Sequence, residues 1–187
     1  MIRKNEQLLN FIMQLAEKPD VPGAIILRKL DAGTRLIHQG EANGNVYVIK
    51  SGVAKCLFTE ESGKEYILAF LGEGETLGEI EAIRKLPTIC SIEALTPLCV
   101  YKISNVQFLH FLETIPEFSR ILLELMAIRL SDISLKGARQ QLQPISELLP
   151  RLLSALEAQQ IEFTKKDLSE YLGITLRSLN RALKEEK

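Results

Sequence analysis

The C-terminal end of the sequence carries a regularly spaced set of basic and amide side chains. Arg177, Arg181 and Lys184 recur at intervals of four and three residues, a spacing that places them on one face of a helix. Ser178 and Asn180 lie beside them. An arginine can pair with guanine through two hydrogen bonds, and an asparagine can do the same with adenine. This face could therefore recognise double-stranded DNA, with an ordinary solvated helix surface as the alternative.

The flanking residues predict the two-helix unit that would hold this face. Thr164, followed three residues later by Asp167, is a helix start signal, and Gly173 suits the left-handed residue of a tight turn. Apolar residues on both sides of the turn supply the buried faces, which predicts a helix-turn-helix whose last helix spans 175–187. The expected DNA contacts, with the arginines reading bases and the lysines holding phosphates, are Lys165, Lys166, Thr175, Arg177, Ser178, Asn180, Arg181 and Lys184.

Residue types suited to catalysis or metal binding are sparse. The chain has three cysteines and two histidines among 187 residues, and neither type forms a motif with metal-ligand spacing. Cys56, Cys90 and Cys99 lie in apolar runs, which favours buried reduced thiols over redox or metal chemistry. We expect no enzyme and no metal. A metal-dependent enzyme on a related β-roll would need a cluster of histidine and carboxylate ligands on adjacent strands.

Short β-rich runs separated by glycine and asparagine turns fill residues 24 to 104, a pattern typical of a roll or sandwich. From about Pro116 the period changes to that of one long helix. Two apolar stripes follow it, so two sides should be buried, one against the roll and one against the same helix of a second copy. The alternative is a helix buried wholly within one monomer. The dimer stripe is expected to comprise Ile121, Leu125, Ile128 and Leu135.

The fold class is therefore α+β. We predict an antiparallel β-roll of the jelly-roll type with flanking helices over residues 1–115, a dimerisation helix over 116–138 and a helix-turn-helix domain over 139–187. Hydrophobic residues make up 46% of the chain, enough for a core without disulfides. No signal peptide and no membrane-spanning run is evident, so we expect a cytoplasmic protein. The net charge of −1 means that any DNA contact depends on a local basic patch.

The order of these parts resembles the CRP/FNR superfamily of bacterial transcription regulators. The resemblance rests on LDAGTRLIHQGEANGNVYVIKSGVAKCLF, on the glycine turn LGEGETLGEI and on the recognition-helix segment. LGEIEAI is also similar to the YeiL-type branch. The resemblance implies a homodimer that binds double-stranded DNA and answers to an effector, with RNA polymerase as a further partner.

In that family a loop after the glycine turn binds the phosphate of a cyclic nucleotide. Gly78 and Glu79 match its opening, although a turn glycine and a helix-capping glutamate would explain them equally well. Thr88 and Ile89 stand where the family has Arg-Ser, and Arg84 could substitute only in a rearranged loop. On the long helix, Ser134 keeps half of the family's Thr-Ser pair. Because a buried phosphate needs a fixed cation, we expect an effector other than cyclic AMP, or none.

One departure concerns the end of the sequence. The family has a β-hairpin wing after the recognition helix, and here the sequence stops at Lys187. We therefore expect the wing to be missing. The alternative function is a small-molecule sensor or interaction module that has lost DNA binding.

Overall fold

The computed structural model describes residues 2–18, 23–157 and 161–185. Within these ranges, nine strands precede the long helix: β1 (Ile2–Arg3), β2 (Ile25–Leu30), β3 (Arg35–Ile37), β4 (Asn45–Ser51), β5 (Ala54–Thr59), β6 (Glu65–Leu71), β7 (Thr76–Leu77), β8 (Ser91–Ala94) and β9 (Leu98–Ser104). The helices are α1 (Glu6–Ala16), α2 (Glu79–Arg84), α3 (Asn105–Thr114), α4 (Pro116–Leu142), α5 (Ile145–Glu157), α6 (Lys165–Leu172) and α7 (Leu176–Glu185).

The strands form two facing sheets, as the α+β roll prediction requires. One sheet has the order β1-β6-β5-β8-β3 and the other β2-β9-β4-β7. All pairings are antiparallel except that of β1 with β6, which is parallel. Alternate side chains of the facing strands, among them Ile49, Leu77, Ile92 and Val100, fill the space between the sheets. The prediction of a jelly-roll-type domain with flanking helices is confirmed.

A second apolar cluster attaches the helices to the outer side of the roll. Phe118, Ile121 and Leu125 of α4 pack with residues of α1, α3, β4 and β9. Pro116 lies in the first turn of α4, where its missing N–H costs no helical hydrogen bond. The helix runs four residues past the boundary expected at 138 and ends at Leu142. It therefore connects the roll to the C-terminal helices without a break.

The C-terminal helices have their own core, formed by Leu149, Leu152, Leu168, Leu179 and Ala182 with their neighbours. This unit is docked on β6 of the roll. The ring of Phe70 lies 4.7 Å from that of Phe163 and 5.1 Å from that of Tyr171. The two domains therefore share buried aromatic surface.

Candidate functional site

The helix α2 starts at a glycine whose identity the fold requires. Gly78 has a φ of 82°, in the left-handed region, and precedes the first residue of α2. A Cβ at this position would come within 2.4 Å of Asn43 Nδ2 and 2.9 Å of the Asn45 carbonyl oxygen. Glycine avoids both the contact and the backbone strain. It thus delivers the next residue, Glu79, into the interior.

Glu79 meets a buried guanidinium that the sequence analysis did not single out. Arg129 of α4 donates from Nη1 to Glu79 Oε1 at 2.5 Å and from Nε to Glu75 Oε2 at 3.0 Å. Its Nη2 donates to the Thr76 carbonyl oxygen at 2.8 Å. Arg3 Nε lies 3.6 Å from Glu75. This group of Arg3, Glu75, Glu79 and Arg129, here called the Arg129 cluster, ties the long helix to the loop that opens the predicted effector site.

Burial sets the electrostatics of the Arg129 cluster. Desolvation raises the pKa of Glu79 above its ordinary value, while the positive charge of Arg129 opposes that shift. Desolvation also works against the charge on Arg129, but the attraction of Glu79 and Glu75 outweighs it and leaves the pKa of Arg129 raised. The guanidinium of Arg129 and the carboxylates of Glu75 and Glu79 therefore stabilise one another in their charged forms, because an unpaired charge is strongly unfavourable in a low-dielectric interior.

The other predicted effector residues do not join this cluster. The Thr88 hydroxyl donates to the carbonyl oxygens of His38 and Glu41, so it holds two loops together. Ile89 is half-exposed, and its backbone N–H donates to Glu81 Oε1 at 3.0 Å. Arg84 is exposed at the end of α2. Ser134 is exposed and donates to the Leu130 carbonyl oxygen of its own helix.

The expected dimer stripe is wrong in two of its four members. Ile121 and Leu125 are each 1% exposed, because they fill the core between α4 and the roll. They have almost no surface left for a partner. Ile128 is half-exposed, and Leu135 lines an open cavity of about 300 Å³ between α4, α5 and the roll. The prediction placed these residues on the wrong side of α4: half of the stripe expected on the outer face lies on the face that packs against the roll.

The helix-turn-helix forms as predicted. The Thr164 hydroxyl accepts from the Asp167 backbone N–H at 3.0 Å, and Asp167 Oδ2 accepts from the Thr164 backbone N–H at 3.1 Å, which is a capping box. Gly173 has a φ of 70° at the end of α6. Thr175 then accepts from the Ser178 N–H at 3.1 Å and starts α7. Lys187, the expected last residue of the helix, lies outside the described residues.

The basic face of α7 is open. Arg177, Arg181 and Lys184 are exposed, on the side opposite the buried Leu179 and Ala182. Both predicted lysines of α6 are engaged within the chain: Lys165 Nζ donates to Asn180 Oδ1 at 3.1 Å, and Lys166 Nζ donates to Glu65 Oε2 of the roll at 3.1 Å.

Charged groups also fix how the helix-turn-helix sits on the roll. Lys55 of β5 lies 3.1 Å from Glu93 and 2.9 Å from Asp167. Burial alone would raise the pKa of Asp167, but hydrogen bonds from Thr164 and Lys55 outweigh it and lower that pKa. The carboxylate that caps α6 is thus shared with the roll.

Lys136 is a second link between the domains. Its Nζ donates to the carbonyl oxygens of Ile67 and Leu68 at 3.0 and 3.1 Å and lies 3.7 Å above the ring of Tyr171. Burial, with a smaller repulsion from Arg3, lowers the pKa of Lys136 to about 7. The link is therefore sensitive to pH near neutrality.

Among residues 2–18, 23–157 and 161–185, no helix has both the length and the apolar character needed to cross a membrane. Within the same ranges, no group of three or more histidine, cysteine, aspartate or glutamate side chains could hold a metal ion.

Fold and site together define a class of protein: a β-roll joined through one long helix to a helix-turn-helix. Residues 27–115 match the cyclic nucleotide-binding domain family. The cAMP-activated global transcriptional regulator CRP of Salmonella typhimurium is 27% identical over 169 residues, which cover 84% of this chain and 80% of that protein. These matches support the resemblance to the CRP/FNR superfamily that the sequence indicates.

Solved structures agree on the architecture. The regulator CLP of Xanthomonas campestris, described as c-di-GMP responsive, superposes with a TM-score of 0.78 at 19% identity, covering 87% of this chain and 86% of its own. A CooA mutant from Carboxydothermus hydrogenoformans gives a TM-score of 0.76 at 16% identity, covering 98% and 85%. At these identities the likeness shows the fold.

Proposed function

We propose that this protein is a homodimeric transcription regulator that binds a two-fold-symmetric DNA site through α7. The observation that carries the proposal is the open row of Arg177, Arg181 and Lys184 on the second helix of a helix-turn-helix. Such a helix lies in the major groove with its first turns against the base edges. Two copies related by a dyad then read half-sites about one helical turn of DNA apart.

The residues divide by role. Arg177, in the first turn of α7, and Arg181 are the proposed base readers, while Ser178 and Asn180 flank them. The DNA phosphates are the proposed partners of Lys165, Lys184 and the helix-capping Thr175. Lys166 would have to leave Glu65 before it could bind a phosphate. The similarity to the CRP/FNR superfamily supports the assignment, since the relatives that match most of the chain are named transcriptional regulators.

Selection from a random duplex library tests the DNA-binding role. The wild type should recover a palindrome, and Arg177→Ala should weaken binding to that site by about 1–3 kcal/mol and relax one base position. Arg28→Ala, an exposed arginine on β2, is the matched control and should leave affinity unchanged. Recovery of no palindrome, with or without a cell extract that supplies effector, would contradict the proposal.

The dimer contact follows from the exposed face of α4. Leu123 and Leu130 are 71% and 68% exposed, and with Ala127, Ser134 and Gly137 they repeat at four- and three-residue intervals. This spacing is that of a two-helix coiled coil, and it lies opposite the buried Ile121, Leu125 and Arg129. We assign the seam to this stripe, with Ile128 at its flank.

We propose that cyclic AMP is not the effector of this protein. In the Arg129 cluster two carboxylates already satisfy the guanidinium, so an incoming phosphate would meet Glu75 and Glu79 as well as Arg129. Calorimetry with cyclic AMP at millimolar concentration should show no resolvable heat. A micromolar dissociation constant would mean that the cluster opens to release Arg129 to the nucleotide.

A regulator of this type works where the chromosome is, in the cytoplasm of a bacterial cell. Contact with RNA polymerase and the narrower resemblance to the YeiL-type branch remain predictions.

A further inference from the structure

Two of the three cysteines meet in the roll although 34 residues separate them in the chain. The Sγ atoms of Cys56, on β5, and Cys90, just before β8, are 2.8 Å apart. A disulfide needs about 2.05 Å, so a small side-chain adjustment would suffice to form the bond. We propose that Cys56 and Cys90 are a redox modification site, which a low-molecular-weight disulfide converts reversibly into an intramolecular disulfide.

The surroundings of the two thiols differ, and this sets the order of the reaction. Cys56 is buried, and its hydrogen bond with Cys90, together with burial, raises its pKa. Cys90 is only partly buried and so is the one a small oxidant reaches first. Its thiolate attacks the small disulfide and releases one thiol. The Cys56 sulfur then attacks the mixed disulfide at the Cys90 sulfur, loses its proton and releases the second thiol.

Cys90 lies at the end of a loop that leads to the Arg129 cluster. The preceding residue, Ile89, is bonded through its N–H to Glu81 on α2, and the helix α2 begins with Glu79. Thr88 fastens the same loop to the backbone at His38 and Glu41. A covalent bond from Cys90 to β5 therefore restrains the loop that bears on α2, and through Glu79 it acts on Arg129 of the long helix.

Thiol counting on the full-length protein tests the site directly. After equilibration in glutathione buffers of rising oxidised fraction, acid quenching and denaturation, the wild type should fall from three free thiols to one. Cys99 lies on β9 in the other sheet, so Cys99→Ser should fall from two thiols to none and is the matched control. Cys56→Ala and Cys90→Ala should form no intramolecular disulfide. Peptide mapping should link residues 56 and 90, and dithiothreitol should restore the thiols.

Hydrogen exchange then tests the link to the loop. The Ile89 amide should exchange more slowly in the oxidised wild type than in the reduced protein, with no such difference in Cys90→Ala. Three thiols persisting throughout the glutathione range, or a disulfide that involves Cys99, would overturn the proposal. Unchanged exchange at Ile89 would overturn the inference that the disulfide restrains this loop against α2. Both measurements are made without DNA, so their outcome is independent of the DNA-binding role.

Discussion

Replacing Arg129 with glutamine should destabilise the protein strongly, because the change leaves Glu75 and Glu79 buried without their main counter-ion. Arg129 is 8% exposed and makes bonds to both carboxylates and to the Thr76 carbonyl oxygen. Removing one partner of a buried ion pair costs about 3–5 kcal/mol. At a urea m-value of about 2–3 kcal/mol per M, the midpoint of unfolding should fall by about 1–2.5 M.

The same change should alter how stability depends on pH. Burial already raises the pKa of Glu79, and losing Arg129 raises it further. A buried acid with a raised pKa binds its proton more tightly in the folded state, so it favours folding as the pH falls. The penalty of Arg129→Gln should thus shrink between pH 7.5 and 5. Adding Glu79→Gln should recover part of the loss, because it removes a buried charge.

Urea unfolding followed by far-ultraviolet circular dichroism measures both effects, since the chain contains no tryptophan. Arg28→Gln on the exposed face of β2 is the matched control and should shift the midpoint little. A loss below about 1 kcal/mol for Arg129→Gln, or a loss that stays constant with pH, would refute the view that buried charge pairing holds α4 to the loop.

Other predictions follow from the helix and its neighbours. Lys136 has a pKa of about 7 in the folded protein, against about 10.5 when unfolded. Between these two pH values the unfolded chain binds an additional proton, so the free energy of unfolding should rise with pH. Urea titrations at several pH values should show a smaller rise for Lys136→Met. Leu130→Glu should give folded monomers by light scattering, whereas Leu125→Glu should unfold the roll; a dimeric Leu130→Glu protein would exclude the proposed seam. Gly78→Ala should lower the melting temperature, since its Cβ meets Asn43 and Asn45; an unchanged melting temperature would contradict that contact.

The sequence predicted the architecture well because that information is local. Strand periodicity, turn glycines and the Thr164–Asp167 capping box are short-range patterns, and each appears in the structure as expected. The phase of α4 was harder, because this helix is apolar on more than one side. The pattern alone could not tell which side faces the roll, so Ile121 and Leu125 were assigned outward.

The charged cluster was missed for a related reason. Arg129 looks like a solvated residue between two apolar stripes, yet it follows Leu125 by four residues and Leu122 by seven, which places it on the inner face. Its partners Glu75 and Glu79 lie about fifty residues earlier, in the segment that leads into α2. Such a long-range pairing has no local signature. Once Leu125 was placed inside, the position of Arg129 could have been inferred.

The sharing of Asp167 has a mechanical consequence. One oxygen of this carboxylate fastens the first turn of α6 and the other grips Lys55 of the roll. Displacing the roll by about 1 Å would therefore weaken the ion pair between Lys55 and Asp167 or disturb the first turn of α6. The helix-turn-helix is thus mechanically coupled to the roll and is not joined to it by a flexible linker alone. An excised fragment of residues 143–187 would lose the contact of Asp167 with Lys55 and expose Phe163 and Tyr171 to solvent. Its free energy of unfolding should therefore be lower than its own apolar core suggests.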